Sequence, residues 1–144
     1  SKQEAAVYAA YRHNLSIITG SPGTGKTTVL KTILEVYRRL HPQGEIALMA
    51  PTGRASRRMA ESTGVDKAKT LHSILGLASE EDEIKRNNTQ EPLSADLIIV
   101  DEFSMVDMWL ANKFFSRIKG GARVILVGDP DQLPSVAPGM CSVN

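Results

Sequence analysis

Apolar and polar residues come in blocks along this chain, and the blocks change period. Leu15-Ser16-Ile17-Ile18-Thr19, Ile46-Ala47-Leu48-Met49-Ala50, Leu97-Ile98-Ile99-Val100 and Arg123-Val124-Ile125-Leu126-Val127 are short, nearly continuous aliphatic runs. They have the form of strands buried on both faces. Between them the spacing lengthens to that of a helix. Val29, Leu30, Ile33, Leu34, Tyr37 and Leu40 make one stripe on a helix from Lys26 to about Leu40. Met105, Met108, Trp109, Phe115 and Ile118 make a second stripe, closed by Gly120-Gly121. Both stripes are expected to face the core, Trp109 included. Ser104 and Asp107 stand at capping-box spacing and are expected to start that second helix.

Three further helices fit the pattern: residues 2 to 13, opened by Ser1 and Glu4 at the same capping spacing, a basic helix around Arg54 to Glu61, and a short one near Leu71 to Leu75. Strands alternating with helices predict an α/β fold, a parallel sheet with helices on both faces and ligands held beyond the carboxyl ends of the strands. Between residues 78 and 95 the period fails. Glu80-Glu81-Asp82-Glu83 and Asn87-Asn88-Thr89-Gln90 replace it by charge and amide, which predicts a polar surface insertion. With no repeat and no long linker, the 144 residues suit a single domain.

The loop after the first strand carries the chemistry. Gly20-Ser21-Pro22-Gly23-Thr24-Gly25-Lys26-Thr27-Thr28 is a Walker A loop between a strand and a helix. Its glycines let successive backbone N–H groups converge on one anion, and the helix opening at Lys26 aims its positive dipole end at the same point. Lys26 adds a point charge for the β- and γ-phosphates of a nucleoside triphosphate, and the Thr27 hydroxyl can ligate Mg²⁺. The third aliphatic run ends in Asp101-Glu102. Asp101 is suited to hold Mg²⁺ and Glu102 to take a proton from an attacking water, a pairing that favours hydrolysis over transfer.

Charge and composition narrow the partners. A net charge of +1 gives no strong overall attraction to nucleic acid, so any such contact must come from a local patch. Thr52 to His72 supplies one, with Arg54, Arg57, Arg58, Lys67 and Lys69 against Glu61 and Asp66. Arg57 and Arg58 point about 100° apart on a helix and cannot both face one strand of nucleic acid. The lone Cys141 and the scattered His13, His41 and His72 offer no disulfide and no soft-metal site. No apolar run spans a bilayer and no signal layout opens the chain, so a cytoplasmic protein without membrane contact is expected.

Taken in order, Gln3-x-x-Ala6-Val7, the Walker A loop, Pro51-Thr52-Gly53-Arg54-Ala55, Lys69-Thr70-Leu71-His72, Asp101-Glu102 and Gly128-Asp129-Pro130-Asp131-Gln132-Leu133-Pro134 carry a resemblance. The chain resembles the first RecA-like domain of a superfamily 1 DNA helicase of the RecD type, the exonuclease V alpha-subunit family. That resemblance implies a P-loop NTPase fold. It implies ATP-driven translocation on single-stranded DNA, 5′ to 3′, in repair and recombination.

Residue by residue, it implies that Gln132 contacts the γ-phosphate and its water and that Gln3 reads adenine. It also implies that Gly20, Pro22, Gly23, Thr24, Gly25, Lys26, Thr27 and Thr28 cradle the nucleotide. Thr52, Gly53, Arg54, Arg57, Thr70 and His72 would line the DNA. A second motor domain, absent here, would bring the arginines that complete the γ-phosphate site, so this domain alone is expected to bind nucleotide with negligible turnover. Other exonuclease V subunits are the further partners implied. Phe103 departs from the small residue RecD-type members usually carry. A conjugative relaxase-type or Pif-type helicase domain, a non-catalytic nucleotide- or DNA-binding module and, less well matched, a small-molecule kinase remain as alternatives.

Overall fold

A computed structural model describes residues 14–20, 25–65, 67–76, 91–128 and 140–143. The helix expected over residues 2 to 13, most of the polar insertion and the Gln132 motif lie outside them. In chain order the elements are β1 (Asn14–Gly20), α1 (Lys26–Leu40), β2 (Ile46–Ala50), α2 (Gly53–Thr63), β3 (Ala68–Thr70), α3 (Leu71–Leu75), β4 (Leu97–Val100), a 3₁₀ turn (Phe103–Met105), α4 (Met108–Ser116), β5 (Arg123–Gly128) and β6 (Met140–Val143). All strand pairs are parallel, and the sheet order is β3-β2-β4-β5-β1-β6. This is the P-loop NTPase α/β arrangement.

The sheet separates two cores, and strand alternation does the sorting. Ile17, Met49, Ile98, Val100, Val124 and Leu126 join the layer of α3 and α4, with Phe103, Phe114 and Phe115. Ile18, Leu48, Leu97, Ile99, Ile125 and Val127 join Leu30 and Leu34 of α1 and Met59 of α2 on the other face. Period-two alternation inside unbroken aliphatic runs is what burial on both faces requires. The four long strands and the helices at 26–40, 53–63 and 71–75 agree with the sequence reading.

Several expectations need correction. Two short edge strands, β3 and β6, were not among those expected. The helix after β4 starts at Met108, with Asp107 as its N-cap accepting from the Leu110 N–H at 2.8 Å. Ser104 therefore sits in the 3₁₀ turn and is not the cap. This shift changes the helix phase. Leu110, Ala111, Phe114 and Phe115 form the buried stripe, while Met105 is 60% and Trp109 46% exposed. Trp109 is not core; its ring lies under the Lys113 ammonium at 5.5 Å on the outer face. Leu40, in the last turn of α1, is exposed as well. The end of the polar insertion is packed: Leu93 bridges Ile118, its N–H donating to the Arg117 carbonyl at 2.6 Å, and Ala95 is buried.

A polar clamp closes the amino ends of the strands. One oxygen of Asp96 meets Lys119 Nζ at 2.6 Å, and the other accepts from the Glu45 N–H at 2.7 Å. The Lys119 hydrogen bond, then the Glu45 N–H, hold the Asp96 carboxyl below its ordinary 3.8. A carboxyl more acidic in the folded than in the unfolded chain stabilises above the unfolded value and loses that contribution as pH falls through its folded value. Asp96→Asn is expected to flatten the acid limb of the melting temperature below about pH 4. Unchanged acid dependence in thermal melts of the variant would remove the clamp from the account.

Candidate functional site

Every described motif residue sits at the carboxyl ends of the strands. β1 gives way to the loop before α1, and Gly25 caps that helix without any side-chain hydrogen bond. No acidic residue occupies the first turn. Among the described residues, the N–H groups at the start of this 15-residue helix therefore have no acidic side chain from their own first turn to satisfy them. Lys26 and Thr27 are half-buried and Thr28 is exposed. Ser21, Pro22, Gly23 and Thr24 lie outside the described residues, as do Gln3 and Gln132.

Asp101 directly follows β4, and β5 stands between β4 and β1. Pairing of Val100 with Leu126, and of Leu126 with Ile17, sets Asp101 level with the last third of β1. Lys26 closes the gap. Its Nζ donates to Asp101 Oδ1 at 3.1 Å, with both side chains mostly shielded from solvent. The same oxygen accepts from the Glu102 N–H at 2.8 Å. Two residues 75 apart in sequence thus share one site, with Thr27 in the same helical turn as Lys26.

Glu102 is held by its backbone. It has φ 51° and ψ 39°, the one non-glycine with positive φ among the described residues. That conformation costs on the order of 1 kcal/mol. It follows from the turn: β4 must stop, Asp101 must cap the Glu102 N–H, and Phe103 must drop into the core beneath, where it is buried against Phe115. The Glu102 carboxylate then lies on the surface side, 3.9 Å from the Arg58 guanidinium of α2.

The basic segment is arranged by two caps. Thr52 Oγ1 accepts from the Ala55 N–H and Thr70 Oγ1 from the Ser73 N–H, each at 3.1 Å. Both hydroxyls retain a hydrogen to donate. Because Ala50 of β2 pairs with Thr70 of β3, the two capped helix starts emerge side by side. Gly53 lies under Arg57: a Cβ there would stand 3.3 Å from the Arg57 guanidinium. Arg54, Arg57 and His72 are exposed. Arg57 and Arg58 do diverge, and it is Arg58, outside the expected site set, that turns to the Asp101-Glu102 turn. Helical spacing indicated the divergence but not its target.

Among the described residues no group of three or more His, Cys, Asp or Glu could hold a metal by itself. The oxygens of Thr27 and Asp101 beside an anion-ready helix start suit a hard cation that arrives with phosphate. An apolar hollow under Tyr37 and Leu40, lined also by Asn14, Leu97 and Arg123, lies at the opposite, amino ends of the strands and has no part in this chemistry.

A family model described as an AAA domain matches residues 3–138. The chain belongs to the AAA domain family. Within it, the resemblance to RecD-type first motor domains holds. The chain is 44% identical over 128 residues to the ATP-dependent RecD2 DNA helicase of Deinococcus radiodurans, covering 89% of this AAA domain and 17% of that protein. It is 39% identical to the RecBCD enzyme subunit RecD of Haemophilus influenzae, covering 95% of the domain and 24% of the subunit. A solved structure of Pif1 helicases on forked double-stranded DNA superposes with a TM-score of 0.54 at 25% identity, over 95% of this chain and 34% of that one. The AAA domain thus spans under a quarter of the length of both curated relatives.

Proposed function

We propose that this chain is the first, ATP-binding motor domain of a RecD-type DNA helicase, a cytoplasmic repair and recombination enzyme that moves 5′ to 3′ along single-stranded DNA. The observation that carries the reading is the Lys26–Asp101 contact, which joins the Walker A helix to the strand-end carboxylates. The higher identity to RecD proteins than to Pif1 favours the RecD branch, with the Pif-type domain as the nearest alternative.

In this reading the N–H groups of α1 and Lys26 receive the β- and γ-phosphates, while Thr27 and Asp101 hold Mg²⁺. When bound, Mg²⁺ supplies charge neutralisation on the phosphate oxygens. Lys26 would then leave Asp101 for phosphate, and their contact supports placing the triphosphate beside them. Glu102 takes the proton of a water whose oxygen bonds to the γ-phosphorus as the bond to the bridging oxygen breaks and leaves with ADP. Gln132 orients that water and Gln3 meets the adenine. Single-stranded DNA runs across the paired helix starts, with phosphates taking bonds from Thr52, Thr70 and backbone amides at Gly53, beside Arg54, Arg57 and His72. The second motor domain of the parent chain adds the arginines needed for turnover, and other exonuclease V subunits are its further partners.

Titrating labelled oligo-dT into the domain at two salt concentrations tests the DNA half of this reading. Affinity should fall with salt, and Arg54→Ala should reduce the logarithmic salt slope by about 0.7, one single-strand phosphate contact. Binding indifferent to both would contradict it.

A further inference from the structure

Four large apolar side chains are exposed among the described residues, and they divide between the two ends of the sheet. Val36 and Leu40 lie toward the end of α1, beside the amino ends of the strands, whereas Met105 and Trp109 stand where β4 turns into α4, at the carboxyl ends. The second pair is on the rim that carries the site. Trp109 is in the first turn of α4, and a helical side chain tilts toward the N-terminus of its helix, here toward that rim. The buried stripe of α4 does not need it. Leu110, Ala111, Phe114 and Phe115 face the core, while the indole faces outward with the Lys113 ammonium 5.5 Å from its centroid. Asp107, the acid of that turn, is engaged by the Leu110 N–H it caps.

Size, charge and position name an occupant. Two apolar side chains fall far short of the roughly 800 Å² per partner that a stable protein interface covers. One indole face is instead the unit on which single-strand binders stack one base, and a cation beside it suits the phosphate that comes with that base. α4 packs against α3, whose cap Thr70 is one of the phosphate contacts proposed above, with Lys69 exposed next to it. Packed helices lie about 8–10 Å apart, so a strand crossing from the start of α2 to the start of α3 comes next to α4. The segment from Thr52 to His72 holds hydroxyls, arginines and lysines but no Trp, Tyr or Phe, so it can grip phosphates and offers no such ring to a base. Phe103, Phe114 and Phe115 are buried and Tyr37 lies at the amino ends. Trp109 is the described aromatic that a strand on this rim can reach.

We propose that Trp109 is a stacking platform for a base of the single-stranded DNA whose phosphates meet Thr52 and Thr70, with Lys113 beside the adjoining phosphate. The inference rests on the helicase reading above and adds to it a base contact that the phosphate track lacks. Every base has a π-face, so the platform grips the strand without reading its sequence.

The test compares oligo-dT with an abasic strand of the same length, both titrated into the intact parent protein and its Trp109 variants. Trp109→Leu, which keeps apolar bulk but removes the π-face, should weaken oligo-dT binding by about five- to a hundredfold, the range for one stacked base. Its salt dependence should stay that of the unaltered protein, because no phosphate contact is lost. Trp109→Phe, which keeps a ring, should retain most of the affinity. The abasic strand, which offers phosphates and no base, should bind the unaltered protein and Trp109→Leu alike. Unchanged oligo-dT affinity in Trp109→Leu would overturn the proposal. So would an equal loss on both strands, the result expected if the indole is instead covered by the second motor domain. Either outcome differs from failure of the helicase reading itself, in which the unaltered protein would bind neither strand.

Discussion

Alanine at Lys26 is expected to lower the affinity of the domain for Mg-ATP by about a hundredfold or more, the worth of a charge-assisted contact to phosphate in a partly shielded site. Lys26 is the only described lysine that reaches the Asp101 turn. Without it, the start of α1 keeps its N–H groups but loses the point charge, so residual weak binding of the phosphates is expected, not none. Titration with a fluorescent ATP analogue reads the effect directly. The variant should remain folded, because Asp101 Oδ1 keeps its bond from the Glu102 N–H. An affinity within a few-fold of the unaltered domain would show that the triphosphate does not bind where Lys26 now meets Asp101.

The second large effect is on stability. Phe103→Ala removes a fully buried ring from the layer under the Asp101-Glu102 turn, where it packs with Phe115 at a centroid distance of 6.0 Å. A buried Phe→Ala change costs about 3–5 kcal/mol, which for a domain of this size lowers the melting temperature by about 10 °C or more. Glu102 has its strained backbone only because Phe103 anchors the far side of the turn, so nucleotide affinity should fall with stability. Trp109→Ala is the contrasting case. That ring is half-exposed and lies under the Lys113 ammonium, so its loss should cost about 1 kcal/mol or less. Calorimetry on the two variants decides which aromatic the fold depends on. Equal losses would mean that Trp109 faces the core after all.

Much of this molecule is legible without coordinates, for reasons that also explain the misses. Leu97-Ile98-Ile99-Val100 can hardly be anything but a strand covered on both faces, and the loop before Lys26 names its own ligand. β3 was invisible because its three residues are an alanine, a lysine and a threonine, an edge segment with no apolar signature; its pairing with β2 comes from the sheet, not from propensity. β6, at four residues, is nearly as short. The exposure of Trp109 is a matter of helix phase. Taking Ser104 as the cap sets the apolar stripe on Met105 and Trp109, whereas the turn at Phe103–Met105 delays the helix until Met108 and rotates the stripe onto Leu110 and Phe114. One cap residue thus decided the orientation of a whole helix. The Arg58–Glu102 contact was beyond reach for a different reason: periodicity says which side of α2 a residue is on, but only the sheet order says what that side meets.

Thr27 and Asp101 acting together on one Mg²⁺ is the claim on which the functional account stands. Mg-dependent ATP affinity in a cycle of Thr27→Ala, Asp101→Ala and the double variant measures it most directly. The account predicts that either substitution alone removes nearly all of the magnesium dependence, so that the double variant is scarcely worse than each single one. Strictly additive losses, or a magnesium dependence that survives both changes, would place the metal elsewhere and contradict the account.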